Sequence, residues 1–342
     1  MEFTNLFDSK LTNYLFLSNF IIFFSVIYFL IKKEFHHPFF LKVSDHNYHK
    51  NKVFNNAGLI LTVLFLFSNI LIYYYVEEFF QIFTNYSSRY YLFLISVFLL
   101  LVMSTFDEFK QINPTIRLIL QITICYLSLP IFKFPILEFL PQKLEFLIIV
   151  YFLVLIINSN NFIDGSDGVM SICSIIIYLG VVIFSYFENQ IYPATLISII
   201  MISLILPFLF FNWPKAKIFI GDTGSIPIGF INGYLIIFFA QIDYVFFGII
   251  LFLYPLVDVN LTLIRKTLNG IPPWARLFDY FFLAPTLIGG MSHFYVLKRI
   301  IIVSLVNLIL AFFYYFYSNY IFFLIALIPN IYLIYLFNKF RK

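Results

Sequence analysis

Uninterrupted apolar runs of about 20 residues recur along most of this chain, and each is long enough to cross a bilayer as a helix. Hydrophobic residues make up 62% of the 342 residues and charged residues only 11%. A soluble domain would carry about a quarter charged residues. The runs are continuous and do not alternate between apolar and polar positions, which disfavours a transmembrane β-barrel. The sequence therefore predicts an all-α, polytopic membrane protein.

Run lengths predict about 11 transmembrane helices, which form a single integral-membrane domain over residues 1–342. Cys125 and Cys173 both lie inside apolar runs, so we expect no structural disulfide. The predicted spans cover residues 13–31, 57–76, 90–106, 115–132, 144–160, 169–187, 192–211, 223–240, 244–264, 294–316 and 319–338.

Basic residues divide unevenly between the two sides of this predicted bundle. Of the 21 Lys and Arg residues, 17 fall in alternate connections and at the C-terminus, and 4 fall in the other connections and at the N-terminus. The positive-inside rule assigns the richer set to the cytoplasm. We therefore predict an external N-terminus, a cytoplasmic C-terminus and a location in the inner (plasma) membrane. Every polar cluster described below falls on the cytoplasmic side, which is where we expect the active-site cleft.

The most unusual polar segment reads NSNNFIDGSDG and runs from Asn158 to Gly168, between two apolar runs. Polar groups at membrane depth are expensive and usually functional. Amides and carboxylates recur here at every third position, so a continuous helix would place them on nearly the same face. The segment then predicts a row of oxygen ligands aimed at one cleft. The row consists of Asn158, Asn161, Asp164 and Asp167.

A second polar segment reads NWPKAKIFIGDTGS and runs from Asn212 to Ser225. Asp222 stands in a glycine-rich stretch at the start of an apolar run, where its carboxylate can hold a cation. Lys215 and Lys217 can meet phosphate oxygens. The alternative interpretation is a loop whose lysines snorkel, followed by a helix that Asp222 caps.

Adjacent carboxylates, Asp107 and Glu108, end the third predicted span. Such a pair indicates a metal or a shared proton, and a solvated helix end is the alternative. With the other acids, the pair makes a set of hard oxygen ligands that suits Mg²⁺ or Mn²⁺ better than zinc. Because magnesium is commonly held by few carboxylates plus substrate phosphates, the set predicts phosphoryl chemistry. The surrounding lipid points to a lipid-borne second substrate.

These segments resemble the signatures of a known family, the polyprenyl-phosphate N-acetylhexosamine-1-phosphate transferases. This is glycosyltransferase family 4, whose members are relatives of the phospho-MurNAc-pentapeptide translocase. Asn158–Gly168 is similar to the central signature, and Asn212–Ser225 to a second one. The resemblance covers roughly residues 30–300, in the family's order. The residues similar to the family's acidic-pair motif are Asp107, Glu108, Pro114, Arg117 and Gln121.

The resemblance implies transfer of a sugar-1-phosphate, in this family N-acetylhexosamine-1-phosphate, from a UDP-sugar to polyprenyl phosphate. UMP would be released, and the product would initiate a lipid-linked glycan or cell-surface polysaccharide. Mg²⁺ or Mn²⁺ would be the cofactor, with Asp222 as its ligand. Partners would be the UDP-sugar, the lipid phosphate, the membrane and a second copy in a homodimer, but no nucleic acid. The implied catalytic residues are Asp107, Glu108, Asp164 and Asp167, and the implied substrate-binding residues are Asn158, Asn161, Lys50, Asn212, Lys217 and Arg276.

The last cytoplasmic loop departs from the family pattern. Many relatives carry clustered histidines there, whereas this chain has Arg276, an apolar stretch and then only His293. We interpret His293 as an interfacial residue beside Lys298 and Arg299. We accordingly predict that Arg276→Ala lowers catalysis more than His293→Ala. Asp258, in the ninth predicted span, is interpreted either as a buried partner of an arginine or as a residue that positions this loop.

Two other functions remain open from the sequence. Intramembrane carboxylates also mark the ion pathways of transporters, although here the acids cluster at one face and no inverted repeat is evident. A non-catalytic relative that only binds a lipid phosphate is the third possibility.

Overall fold

The computed structural model describes residues 10–33, 54–75, 87–190, 192–272 and 280–341. Within those ranges the chain is helical, and a single bridge between Phe54 and Ile218 is its only β-type pairing. The all-α prediction is thus confirmed. The helices are α1 (Lys10–Lys32), α2 (Ala57–Tyr75), α3 (Ser87–Lys110), α4 (Pro114–Leu127), α5 (Gln142–Ile163), α6 (Val169–Phe187), α7 (Pro193–Asn212), α8 (Asp222–Gln241), α9 (Val245–Leu251), α10 (Leu253–Leu268), α11 (Ala284–Leu287), α12 (His293–Tyr317) and α13 (Ile321–Asn338). Short 3₁₀ turns cover Leu129–Ile131, Phe281–Leu283 and Lys339–Arg341.

Of the helices that the structure describes, 9 are long and apolar enough to cross a membrane. The predicted span 244–264 is instead a broken pair, α9 and α10, bent by 74°. The apolar part of α2 is shorter than the others and covers Ala57–Ile72. These elements occupy all of the predicted segments, and the protein is polytopic. The number of complete crossings and their orientation stay predictions.

Helix α8 lies at the centre of the bundle. In its most apolar stretch 89% of the residues are buried within the protein, compared with 17% in α1. It packs against α5, α3, α9 and α2. A buried amide network fixes α8 to α5 and α6, because Asn232 Nδ2 donates to Asn160 Oδ1 at 3.1 Å and to Ser174 Oγ at 2.9 Å. Since α8 begins at Asp222, its central place brings that carboxylate to the junction of several helices.

A short extended segment before α2 supports the approach to Asp222. Phe219 N donates to Phe54 O at 2.8 Å, and Gly58 N donates to Ile220 O at 2.9 Å. The starts of α2 and α8 then touch backbone to backbone. A Cβ placed on Gly58 would lie 2.3 Å from the Gly224 Cα. Only a residue without a side chain fits this crossing.

Gly58→Ala should therefore destabilise the protein. The clash is with backbone, which cannot move aside as a side chain would, so we expect a cost of about 1–3 kcal/mol or more. Thermal unfolding of the purified protein measures this. Gly165→Ala is the matched control, because a Cβ there meets its nearest atom at an ordinary 3.6 Å. Equal melting temperatures for the two variants would contradict the proposed tight crossing.

The predicted orientation can be tested with two equally exposed side chains. Phe139 and Leu268 are both 81% exposed and lie in connections assigned to opposite sides. The native Cys125 and Cys173 are buried, so they give little background. A membrane-impermeant maleimide added to intact cells should label Phe139→Cys at once and Leu268→Cys only after permeabilisation. The reverse order would invert the topology.

Candidate active site

Three sequence-distant segments meet at one end of the bundle. Asp107 lies one turn before the end of α3, Asp222 opens α8, and Asp164 directly follows α5. The charge pattern assigns this end to the cytoplasm. The two signatures and the acidic pair thus converge as the resemblance implies.

Arg117, on the second turn of α4, joins two of these acids. Its Nη1 donates to Asp107 Oδ2 at 3.0 Å and to Asp222 Oδ2 at 2.9 Å. The side chain of Asp107 is 6% exposed, that of Arg117 15% and that of Asp222 32%. One guanidinium nitrogen therefore holds the two carboxylates at a fixed separation. The helix α4 starts with Asn113 as its N-cap and Pro114 in its first turn, which sets the position of Arg117.

The second carboxylate oxygen, Oδ1, of Asp107 and of Asp222 also accepts a hydrogen bond. Ile112 N donates to Asp107 Oδ1 at 2.7 Å. Asn161 Nδ2 donates to Asp222 Oδ1 at 2.9 Å and to Ser225 Oγ at 2.8 Å. Asp222 is thus oriented from two sides, by Asn161 and by the arginine. Such preorganisation is what an electrostatic site requires.

The predicted row of oxygen ligands is only half correct. Helix α5 ends at Ile163, so Asn158 and Asn161 share a face, whereas the residues beyond them leave the helical path. Asp167 is 1% exposed and accepts from Lys215 N at 3.0 Å and Ala216 N at 3.2 Å. The glycines of this segment do permit such a turn, and Gly168 has a positive φ of 74°; the partners of Asp167 are decided by tertiary contacts.

Asp167 and Asn212 tie the two signature segments together. Gly168 N donates to Asn212 Oδ1 at 2.8 Å, and Asn212 Nδ2 donates to Ile218 O at 2.8 Å. Both side chains are buried. Asp167 accepts only from the backbone of the other segment, whereas Asn212 accepts from the other segment and donates within its own. In this arrangement they brace the loop that leads to Asp222.

Carboxylates crowd around Asp164. Burial raises the pKa of Asp164 well above its usual range, and the carboxylates of Asp222 and Asp167 raise that pKa further. A charged Asp164 would thus be repelled by both neighbours. A cation placed among these acids would relieve that repulsion.

No group of three or more His, Cys, Asp or Glu side chains within the described ranges could hold a metal by itself. Magnesium is commonly bound by one or two carboxylates together with water and substrate phosphates. Asp222, with Asp164 near it, supplies hard oxygen ligands of that kind. The donor set therefore fits Mg²⁺ that arrives with a phosphate substrate.

His293 lies closer to the site than its interpretation as an interfacial residue predicts. Its Nδ1 is 3.0 Å from Ser166 Oγ and 3.9 Å from Asp167 Oδ1. The structure adds these contacts to that interpretation, because His293 opens α12 and meets the Asn158–Gly168 segment. No local pattern indicates a contact between residues so far apart.

Asp258 positions the last loop, as one of its two interpretations predicts. It is fully buried and accepts from Phe281 N at 3.1 Å and Phe282 N at 3.0 Å. Tyr254 Oη also donates to it at 2.9 Å. The aromatic turn it holds reaches the signature loop, since a Cβ on Gly165 would lie 3.6 Å from the Phe282 ring.

The remaining predicted residues are less central or lie outside the described ranges. Glu108 is half-buried beside Asp107, and Lys217 is exposed. Asn158 Nδ2 donates to Gln121 Oε1 at 2.9 Å. Lys50 and Arg276 fall outside the residues that the structure describes.

Sequence reasoning missed the central place of Arg117 and of Gln121, although both belong to the segment similar to the acidic-pair motif. The available signal was their spacing. Four residues apart on one helix, they share a face, and that helix begins shortly after the acidic pair.

Comparison with known proteins gives the same three segments a common context. Residues 90–240, which contain all three, match the model of glycosyl transferase family 4. The chain is 26% identical to a probable undecaprenyl-phosphate N-acetylglucosaminyl 1-phosphate transferase of Bacillus subtilis over 193 residues. These residues make up 52% of this chain and 53% of that protein. It is 30% identical over 156 residues to the decaprenyl-phosphate N-acetylglucosaminephosphotransferase of Mycolicibacterium smegmatis, which is 39% of this chain and 38% of that protein. It is 43% identical over 74 residues to a phospho-N-acetylmuramoyl-pentapeptide-transferase of Prochlorococcus marinus, which is 21% of this chain and 20% of that protein. The chain thus spans about half or less of the length of these relatives.

Proposed function

We propose that this chain, whose residues 90–240 match the model of glycosyl transferase family 4, transfers a sugar-1-phosphate from a UDP-sugar to polyprenyl phosphate. N-acetylhexosamine-1-phosphate is the proposed group, since the relatives named above act on N-acetylated sugars. The reaction takes place at the cytoplasmic face of the plasma membrane and initiates a lipid-linked glycan. One observation carries the proposal. Arg117 joins Asp107 of the acidic pair to Asp222 of the second signature, at 3.0 and 2.9 Å.

The proposed chemistry needs little more than positioning and charge. An oxygen of the lipid phosphate attacks the phosphorus that carries the sugar. A new P–O bond forms, the bond to the bridging oxygen breaks, and that oxygen leaves on UMP with the electron pair. The lipid phosphate is already a nucleophile, so the protein must orient it in line and neutralise growing charge.

The proposed site residues form two groups, one on the side of the lipid phosphate and one on the side of the UDP-sugar. Asp107, with Glu108 beside it, stands on the acceptor side with Arg117. Asp222 and Asp164 would hold Mg²⁺ on the donor side, where the metal supplies positive charge to the diphosphate. Asn161 keeps the Asp222 carboxylate in its orientation, and Asp167 and Asn212 hold the loop in place.

Asn158, Lys50, Lys217 and Arg276 are proposed as contacts to the substrates. Lys217 is exposed, so its ammonium can reach a phosphate of the UDP-sugar.

The comparison of Arg276→Ala with His293→Ala remains the test of the last loop. The contact of His293 with Ser166 makes the outcome of that comparison more informative. The homodimer stays a prediction, because nothing in the site requires a second copy.

The test is direct transfer of radiolabel. Purified protein with UDP-[¹⁴C]N-acetylglucosamine, undecaprenyl phosphate and Mg²⁺ should yield label in an organic-extractable lipid, together with UMP. Omission of the lipid phosphate is the control. If several UDP-N-acetylhexosamines give no labelled lipid, while lipid phosphate still binds, the chain is a binding protein and not this enzyme.

A further inference from the structure

Gln121 lies on α4 one helical turn beyond Arg117, and nothing in the proposed chemistry uses it yet. Its side chain is only 1% exposed. The two residues are four apart, so they share a face of the helix. Arg117 is 15% exposed and Asn158 is partly exposed. The residues on either side of Gln121 are therefore partly open, although Gln121 itself is buried.

Hydrogen bonding fixes which way this amide points. Asn158 Nδ2 donates to Val154 O at 2.8 Å, which identifies that atom as the nitrogen. The same nitrogen donates to Gln121 at 2.9 Å, so the Gln121 atom that faces it must be the acceptor oxygen Oε1. Gln121 Nε2 is then left over. It is buried and has no hydrogen-bond partner among the described residues.

A buried N–H donor without a partner is costly, by about 1–3 kcal/mol. Folded proteins carry few such groups, and each one asks for an explanation. Here the donor belongs to a side chain one helical turn from Arg117, which binds Asp107 and Asp222. An oxygen of a bound ligand would satisfy it.

The N–H groups of Arg117 and Gln121 favour an anionic oxygen as the ligand atom. Arg117 pairs with Asp107 and Asp222 through Nη1, which leaves its other N–H groups for a ligand, and Gln121 adds two N–H donors one turn beyond it. Phosphate oxygens accept several hydrogen bonds and favour charge-assisted ones. Gln121 is also about 6 Å further from the cytoplasmic start of α4 than Arg117, at 1.5 Å per residue. A lipid phosphate enters from the membrane side, whereas a soluble nucleotide enters from the cytoplasm.

We propose that Gln121 Nε2 binds a phosphate oxygen of the acceptor lipid, and that Gln121 is a substrate-binding residue for this reaction. The inference rests on the proposed function. The diphosphate of the UDP-sugar offers the same kind of oxygen, so the test must distinguish the UDP-sugar from the acceptor lipid.

Two variants of Gln121 test the Nε2 hydrogen-bond donor while keeping the size of the side chain. Gln121→Met removes both polar atoms, and Gln121→Glu keeps Oε1 but replaces the donor with a carboxylate oxygen. Apparent KM is measured for undecaprenyl phosphate and, separately, for the UDP-sugar, with the other substrate saturating. Binding of farnesyl phosphate to the purified protein, by calorimetry, gives a readout that does not need turnover.

We expect Gln121→Met to raise the acceptor KM by about 10-fold, the loss of one hydrogen bond to a charged group, with the donor KM unchanged. Gln121→Glu should raise it further, because its charge repels phosphate. Gln241→Met is the matched control. It makes the same substitution at the far end of α8, where Nε2 donates to Lys133 O at 3.3 Å, and it should change neither KM.

The proposal is overturned if neither KM changes in a folded Gln121 variant. A rise in the donor KM alone would assign the phosphate oxygen to the nucleotide and overturn the acceptor assignment. If Gln121→Met fails to fold, Gln121→Glu decides, since it keeps the bond to Asn158. Absence of transfer by the unsubstituted protein would instead refute the proposed function, whereas farnesyl phosphate binding would still test Gln121.

Discussion

Asp222→Asn should lower sugar-1-phosphate transfer by about 1000-fold, or about 4 kcal/mol in the barrier. The amide keeps the size of the side chain and can still accept from Asn161, but it removes the charge that holds Mg²⁺. Asp107 retains its bond to Arg117, so the fold should survive. Transfer of radiolabel into lipid measures the loss, and Mn²⁺ binding followed by electron paramagnetic resonance tests the metal independently.

Asp243→Asn provides the control for this substitution. Asp243 lies just beyond the opposite end of α8 and is exposed. The same loss of one carboxylate there should leave transfer and Mn²⁺ affinity unchanged. Asp222 would be excluded from the metal site if its folded variant bound Mn²⁺ as well as the unsubstituted protein.

Arg117→Met should lower transfer by about 100-fold, or about 2.7 kcal/mol, and should also lower the melting temperature. It leaves the buried Asp107 without its cation, and breaking such a pair from one side is destabilising because a charge remains uncompensated. It also removes the two ion pairs through which Arg117 joins the acceptor-side Asp107 to the donor-side Asp222. Thermal unfolding and the transfer assay measure the two effects.

Arg117→Lys separates charge from the guanidinium shape. A single nitrogen, Nη1, makes both contacts at 3.0 and 2.9 Å. An ammonium that reached this position could therefore replace much of its effect, and we expect Lys to recover at least about a tenth of the lost activity, despite its shorter reach. Arg89→Met, at the other end of α3, is the control and should leave transfer unchanged. A Lys variant as inactive as Met would show that the second guanidinium nitrogen matters.

Much of the site was predictable because its parts are local in sequence. The carboxylates at Asp107, Asp164 and Asp222 stand out against apolar runs, and the cost of burying them marks them as functional. Their types alone indicate a hard cation and phosphate chemistry. No tertiary information was needed for these inferences, since each depends on a residue and its immediate neighbours.

The roles of Asp167 and His293 were not predictable in the same way. A three-residue spacing placed Asp167 in a row of ligands, but α5 ends at Ile163 and Asp167 turns to the backbone of residues 215 and 216. His293 meets Ser166 across 127 positions of sequence. Spacing rules describe one helix and hold only as far as that helix continues.

That the chain is a helical membrane protein, where its polar segments lie and which chemistry they predict all follow from local composition. Hydropathy depends on the preference of each residue for lipid or water, and it can be assessed one segment at a time. The bridge that Arg117 makes from Asp107 to Asp222, which is 105 positions from Arg117, follows from tertiary packing. That contact depends on the central packing of α8, on its amide network with α5 and on the close crossing of Gly58 and Gly224. These are pairwise fits between distant surfaces, which no local preference encodes.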